Sequence, residues 1–153
     1  MKVAIGSDHG GFILKKEVLK HLKDKNIEFK DFGTYSEVSC DYSDYASAVS
    51  TEVVKGKFDF GILICGTGIG IGIAANKING VRAALCHDTF SARATREHNN
   101  ANILTLGERV IGPGLAIDIV DIFLETKFSD EERHIKRINK INELEKNNLT
   151  GGK

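Results

Sequence analysis

Short apolar runs alternate with amphipathic segments along the whole chain, and few folds accept that order. Residues 2–6, 27–32, 58–65, 81–87 and 101–106 read as strands. Three of these contain VAIG, FGILIC and VRAALC, nearly continuous apolar runs of the kind found in strands buried on both faces. Between the runs, residues 12–25 carry Ile13, Val18, Leu19 and Leu22 at helical spacing with lysines opposite. A further helix is predicted over 44–55 with Asp44 as N-cap, and another over 113–126 with Pro113 just inside its start. Strand and helix in strict alternation imply right-handed crossovers. The predicted fold is therefore a Rossmann-like three-layer α/β/α sandwich with a five-stranded parallel sheet.

An extra helix follows the sheet, predicted over 130–146. Its Ile135, Ile138, Ile141 and Leu144 recur every third residue. That stripe reads either as a lid on the chain's own core or as a surface that packs on a partner subunit. At 153 residues with no linker, one domain over 1–146 is expected, with 147–153 as a frayed tail.

Composition excludes several classes of function. The 21 basic and 21 acidic residues cancel, so no overall field draws a polyanion and nucleic acid is not expected as a partner. The apolar start is too short for a secretory signal, and no stretch approaches the ~20 apolar residues of a membrane span. Cys40, Cys65 and Cys86 lack CxxC spacing, which fits neither a disulfide framework nor a zinc site. A reducing cytoplasm is the expected setting, without metal or cofactor.

In an open parallel sheet, ligands bind beyond the carboxyl ends of the strands. The first strand leads into Ser7-Asp8-His9-Gly10-Gly11 and the third into Cys65-Gly66-Thr67-Gly68-Ile69-Gly70-Ile71-Gly72. The fourth ends in His87-Asp88, and Arg96-Glu97-His98-Asn99-Asn100 precedes the fifth. Glycines at 66, 68, 70 and 72 let the backbone approach a ligand and turn its N–H groups inward, toward a phosphate or the oxygen of an enolate. The segment starting at Gly70 also matches G-x-G-x-x-A formally, but a dinucleotide turn would have to open at Gly66.

Cys65 stands at the strand end before a helix N-terminus, where a thiolate is favoured and serves as nucleophile or general base. The competing reading is a buried structural thiol, which is how Cys40 and Cys86 are taken. His98 reads as a cap or surface histidine, or as a proton-transfer group beside Asn99. His21 and His134 take the structural reading. Arg133 and Arg137 share a helix face, either as a solvated pair with Glu131 and Glu132 or as a clamp on phosphate, which Arg109 would join.

Together, Gly6-Ser7-Asp8-His9-Gly10-Gly11, Asp41-Tyr42-Ser43-Asp44-Tyr45-Ala46, Cys65-Gly66-Thr67-Gly68-Ile69-Gly70, His98-Asn99-Asn100-Ala101-Asn102 and Gly107-Glu108-Arg109-Val110-Ile111-Gly112 resemble the type B ribose-5-phosphate isomerase family, which also includes the galactose-6-phosphate isomerase subunits. The resemblance spans nearly the whole chain. It implies a metal-independent aldose–ketose isomerase of the pentose phosphate pathway acting on a sugar phosphate. Cys65 would be the base that moves a proton between C1 and C2, and the backbone of Gly66, Thr67, Gly68, Ile69 and Gly70 would bind the enediolate. His98 would protonate the ring oxygen with Thr67 assisting. Asp8 and Asn99 would orient hydroxyls with Tyr42 nearby, and His9, Arg109, Arg133 and Arg137 would hold the phosphate. The family's sites are shared between subunits, so a homodimer is implied, or a tetramer of two such dimers.

Ser43 stands where relatives commonly have proline, which bears on the rigidity of that turn rather than on chemistry. Cys65, where some relatives have glutamate, points to the thiol-using branch. The residues agree independently, because isomerisation needs a positioned base, preorganised N–H donors and remote phosphate binding. Two alternatives remain open: an isomerase of six-carbon phosphates such as galactose 6-phosphate or allose 6-phosphate, and a non-catalytic domain that senses a phosphosugar.

Overall fold

The computed structural model describes residues 1–150, with side chains through 147. Five parallel strands form one sheet in the order β2-β1-β3-β5-β4. They are β1 (Lys2–Ser7), β2 (Glu28–Asp31), β3 (Phe60–Cys65), β4 (Ala83–Leu85) and β5 (Ile103–Gly107). The helices are α1 (Phe12–Asp24), α2 (Tyr42–Val54), α3 (Ile69–Ala75), α4 (Thr89–Asn99), α5 (Pro113–Glu125) and α6 (Glu132–Thr150). Helices α2 and α3 cover one face of the sheet, α1, α4 and α5 cover the other, and α6 lies outside on α4. This is the three-layer sandwich expected from the alternating pattern.

The central strands follow from their composition. β1, β3 and β5 have no exposed residue, so apolar side chains on both faces enter the two cores, Val3 and Ile5 on one side and Ala4 on the other. Phe123 of α5 is fully buried and meets Phe60 edge-on, with ring centroids 5.6 Å apart. Removing a side chain of that size from a packed core costs about 3–5 kcal/mol.

Three expectations need correction. The run over 81–87 is not buried on both faces, because the topology puts β4 at the sheet edge and leaves Leu85 41% exposed. Asp44 is not the N-cap of α2. The cap position belongs to Asp41, whose side chain makes no cap bond, while Asp44 lies in the first turn, where a carboxylate suits the helix dipole. The last helix begins at Glu132 and runs on to Thr150, beyond the expected end at 146. Of its apolar stripe only Ile138 is buried, while Ile135, Ile141 and Leu144 are 40%, 40% and 64% exposed, so the stripe does not close as a lid on this chain. The expected fraying of 147–153 falls, from residue 151 on, outside the described residues. No described helix is long and apolar enough to cross a membrane.

Candidate active site

Strand order reverses at β1 and β3, whose chains leave toward opposite faces, and in open α/β sheets the crevice that takes a ligand lies between the loops beyond two such strands. After Ser7 the chain makes a single 3-10 turn, His9–Gly11. Asp8 caps it, its Oδ1 accepting the Gly10 N–H at 2.9 Å. The turn lies tightly against β3: a Cβ on Gly11 would stand 2.5 Å from the carbonyl of Ile64, and one on Gly10 would stand 3.1 Å from the Gly66 nitrogen. Asp8 is 6% exposed. Burial pushes its carboxyl above the ordinary range, against the opposing pull of His9, the Gly10 and Gly11 amides and Arg109.

The loop after β3 turns at Gly68, whose φ of +75° suits glycine and whose missing Cβ leaves room for Leu85 and the Leu106 carbonyl. Cys65 is 5% exposed, and its Sγ accepts the Gly68 N–H at 3.0 Å. A donor aimed at sulfur stabilises negative charge there. Thr67 is exposed, its Oγ1 accepting the Ile69 N–H at 3.3 Å. A Cβ on Gly70 would stand 2.9 Å from the Tyr42 ring, and one on Gly66 would stand 3.2 Å from Arg109 Nε. Tyr42 and the Arg109 side chain therefore border the glycine loop on two sides.

Arg109 is held in place by its own backbone. Its N–H donates to Gly66 O and the Glu108 N–H donates to Cys65 O, both at 3.0 Å. The Glu108 carboxylate turns to α1, accepting the Leu14 N–H at 2.8 Å. His9 Nδ1 accepts the backbone N–H of Cys40 at 3.2 Å, which places the proton of the neutral ring on Nε2. Asp8, His9, Tyr42, Cys65, Gly66, Thr67, Gly68, Ile69, Gly70 and Arg109 are thus gathered at the carboxyl edge of the sheet.

His98, Asn99, Arg133 and Arg137 are not brought to them. Helix α4 runs antiparallel to the strands, so its last turn stands at the amino edge, where the Asn102 N–H donates to Arg82 O at 3.1 Å, just ahead of β4 and β5. His98 and Asn99 lie in that turn rather than between helix and strand, both exposed. Five or six strand residues at about 3.3 Å each separate this edge from Cys65. Arg133 and Arg137 on α6 are exposed on the same side, Arg133 pairing with Glu131 at 2.7 Å. Within one chain the expected site residues fall into two separate groups.

The structure adds residues that the sequence did not mark. Cys40, taken as inert, has its thiol 4.0 Å from His9 Nδ1. His134 is buried and packs against His98, the rings tilted by 40° with centroids 4.5 Å apart. Arg82 and Arg96 grip the end of α4, donating to the carbonyls of Asn99, Asn100 and Ala101. No local pattern announces any of these, since each acts through a partner on another segment or through backbone. Asp88, the acid a dinucleotide reading would use, caps α4 by accepting the Ser91 N–H at 2.7 Å.

Comparisons with known proteins give the site its context. Residues 3–141 match the family described as Ribose/Galactose Isomerase. A solved ribose-5-phosphate isomerase B from Clostridium thermocellum superimposes with a TM-score of 0.94 at 53% identity, covering 95% of this chain and 98% of that one. Ribose-5-phosphate isomerase B of Escherichia coli is 47% identical over 144 residues, covering 94% of this chain and 96% of its own. The galactose-6-phosphate isomerase subunit LacB of Clostridium acetobutylicum is 39% identical over 147 residues, covering 96% and 85%. The crevice at the strand reversal thus sits in a chain that belongs to the Ribose/Galactose Isomerase family and is an aldose–ketose isomerase.

Proposed function

We propose that the chain interconverts ribose 5-phosphate and ribulose 5-phosphate in the cytoplasm, without a metal, as a homodimer whose sites each combine the Cys65 half of one subunit with the His98 half of the other. The observation that carries this reading is the Gly68 N–H aimed at the Cys65 sulfur inside a loop of small residues at the carboxyl edge of the sheet. A thiolate there takes the C2 proton of the open aldose while electron density moves onto the carbonyl oxygen at C1. The loop N–H groups meet that developing charge. The O2 proton then passes to O1, the carbonyl re-forms at C2, and the thiol returns its proton to C1.

Aldose 5-phosphates enter as closed rings. His98 protonates the ring oxygen, with Thr67 assisting. Asp8 and Asn99 orient hydroxyls beside Tyr42. His9, Arg109, Arg133 and Arg137 hold the phosphate, and that remote binding keeps C1 and C2 in register with the base. The solved Clostridium thermocellum relative carries the same substrate in its name, which supports the choice of a five-carbon sugar.

The test is turnover of purified protein on ribose 5-phosphate with a chelator present, beside Cys65→Ala and Cys65→Ser. Metal-independent turnover, with most of kcat lost in both variants and KM little changed, is the expected result, because a serine hydroxyl is a far weaker base. Full turnover by Cys65→Ala overturns the base assignment. The galactose-6-phosphate isomerase relative favours a second reading, a six-carbon substrate. A strong preference for six-carbon phosphates in the same assay would establish it, and silence on both sugars would point to a binding module.

A further inference from the structure

His134 is a buried titratable side chain that touches a proposed site residue yet has no part in the reaction as written. It lies in the first turns of α6 and is 2% exposed, whereas the side chain of His98 above it is 45% exposed. The two imidazole rings tilt by 40° at the 4.5 Å centroid separation. Ser129 Oγ lies 2.7 Å from His134 Nδ1 and accepts the Glu131 N–H at 3.4 Å, which leaves its own proton to donate to Nδ1. The Ser129 N–H in turn donates to Glu97 O at 3.1 Å, tying this turn to the last turn of α4.

Rested on the ring-opening role of His98, we propose that His134 is a positioning residue, a buried platform braced by Ser129 that orients the His98 imidazole toward the sugar in the partner subunit's crevice. An exposed histidine in a helix's last turn explores several side-chain torsions, and a ring packed on one face removes most of that freedom. The charges around the pair suit this task. Burial pushes His134 below its ordinary range, the Arg133 cation adds to that, Glu131 opposes it, and His98 and Arg137 add smaller pushes downward. Glu97 Oε2 lies 3.9 Å from His98 Nε2.

The test separates ring opening from proton transfer at carbon. Ribulose 5-phosphate has its C5 oxygen blocked and stays open, so solvent deuterium exchange at its C1 needs Cys65 and the enediolate but no ring chemistry. His134→Ala is expected to lower kcat on ribose 5-phosphate about tenfold with KM within about threefold, and to leave exchange unchanged. His134→Phe restores the ring and is expected to recover kcat to within about threefold of the parent. A His134→Ala kcat equal to the parent's, or a proportional loss of turnover and exchange, overturns the proposal. Should His134→Ala fail to fold, Ser129→Ala carries the test, and is expected to lower kcat without lowering exchange. His98→Asn is measured alongside. If it is strongly impaired while His134→Ala is not, the positioning role alone falls; if it turns over like the parent, the ring-opening assignment falls and takes the proposal with it.

Discussion

His9 and Cys40 lie 31 positions apart, and the N–H they share decides which nitrogen of the histidine remains to face a ligand. Cys40 gives that bond through its backbone, so its side chain is replaceable while its amide is not. The three thiols sit in sharply different surroundings. Cys40 is half-buried at the rim of the crevice, Cys65 is 5% exposed, and Cys86 is 1% exposed. Burial, with a further push from Asp88, drives the Cys86 thiol up to about 12, so at neutral pH it offers almost no thiolate to an electrophile. Iodoacetamide followed by peptide mass mapping should therefore modify Cys40 before Cys65 and leave Cys86 untouched while the fold is intact. A Cys40→Ser variant should keep turnover and still be inactivated, more slowly, through Cys65. Complete resistance of that variant would mean the reagent never reaches Cys65, and alkylation could not then be used to argue for a Cys65 base.

Helices α1 and α5 are joined by a small charged cluster as well as by apolar packing. Asp121 accepts from His21 Nε2 and Lys25 Nζ, each at 2.7 Å. Burial alone would raise the Asp121 carboxyl, but the Lys25 and His21 donors outweigh it and hold the group below its ordinary value. A carboxyl depressed in the folded state contributes stability above its unfolded pKa of about 3.9, and that contribution fades as pH falls through the folded value. Asp121→Asn should thus lower Tm by about 2–4 °C at pH 7 and by a smaller amount near pH 3, as read by thermal melts at the two pH values. An equal deficit at both would assign the loss to packing.

This cluster also shows what the sequence does and does not carry. Lysines opposite an apolar face mark α1 as amphipathic, but nothing local says that Lys25 answers to Asp121, 96 residues on. β1, β3 and β5 are legible because burial on both faces demands unbroken apolar runs. The run around β4 obeys the same pattern for another reason, since it ends at a sheet edge with Leu85 uncovered. The loops at Asp8 and Cys65 are legible as site loops because they follow strand ends directly. His98 is legible as polar and titratable, but a one-dimensional reading beside a strand does not distinguish its amino end from its carboxyl end.

That distinction governs the whole molecule. The carboxyl edge holds a thiol, N–H donors, Asp8, His9 and Arg109, and the amino edge holds an imidazole, Asn99 and two arginines, with the length of the sheet between them. Exposed apolar side chains accompany both groups: Ile69, Ile73 and Leu85 beside the glycine loop, and Ile135, Ile141 and Leu144 along α6. If each site draws one half from each subunit, two defects on different halves complement one another. Cys65→Ala and His98→Asn homodimers should each be nearly inactive. Unfolded together and refolded at equal amounts, half the dimers are mixed, and each mixed dimer holds one site with both halves intact and one with both defective. Turnover should then rise to about a quarter of the parent's. Sites confined to one chain would leave the mixture as inactive as its components, so the recovered fraction decides between the two arrangements without a further structure.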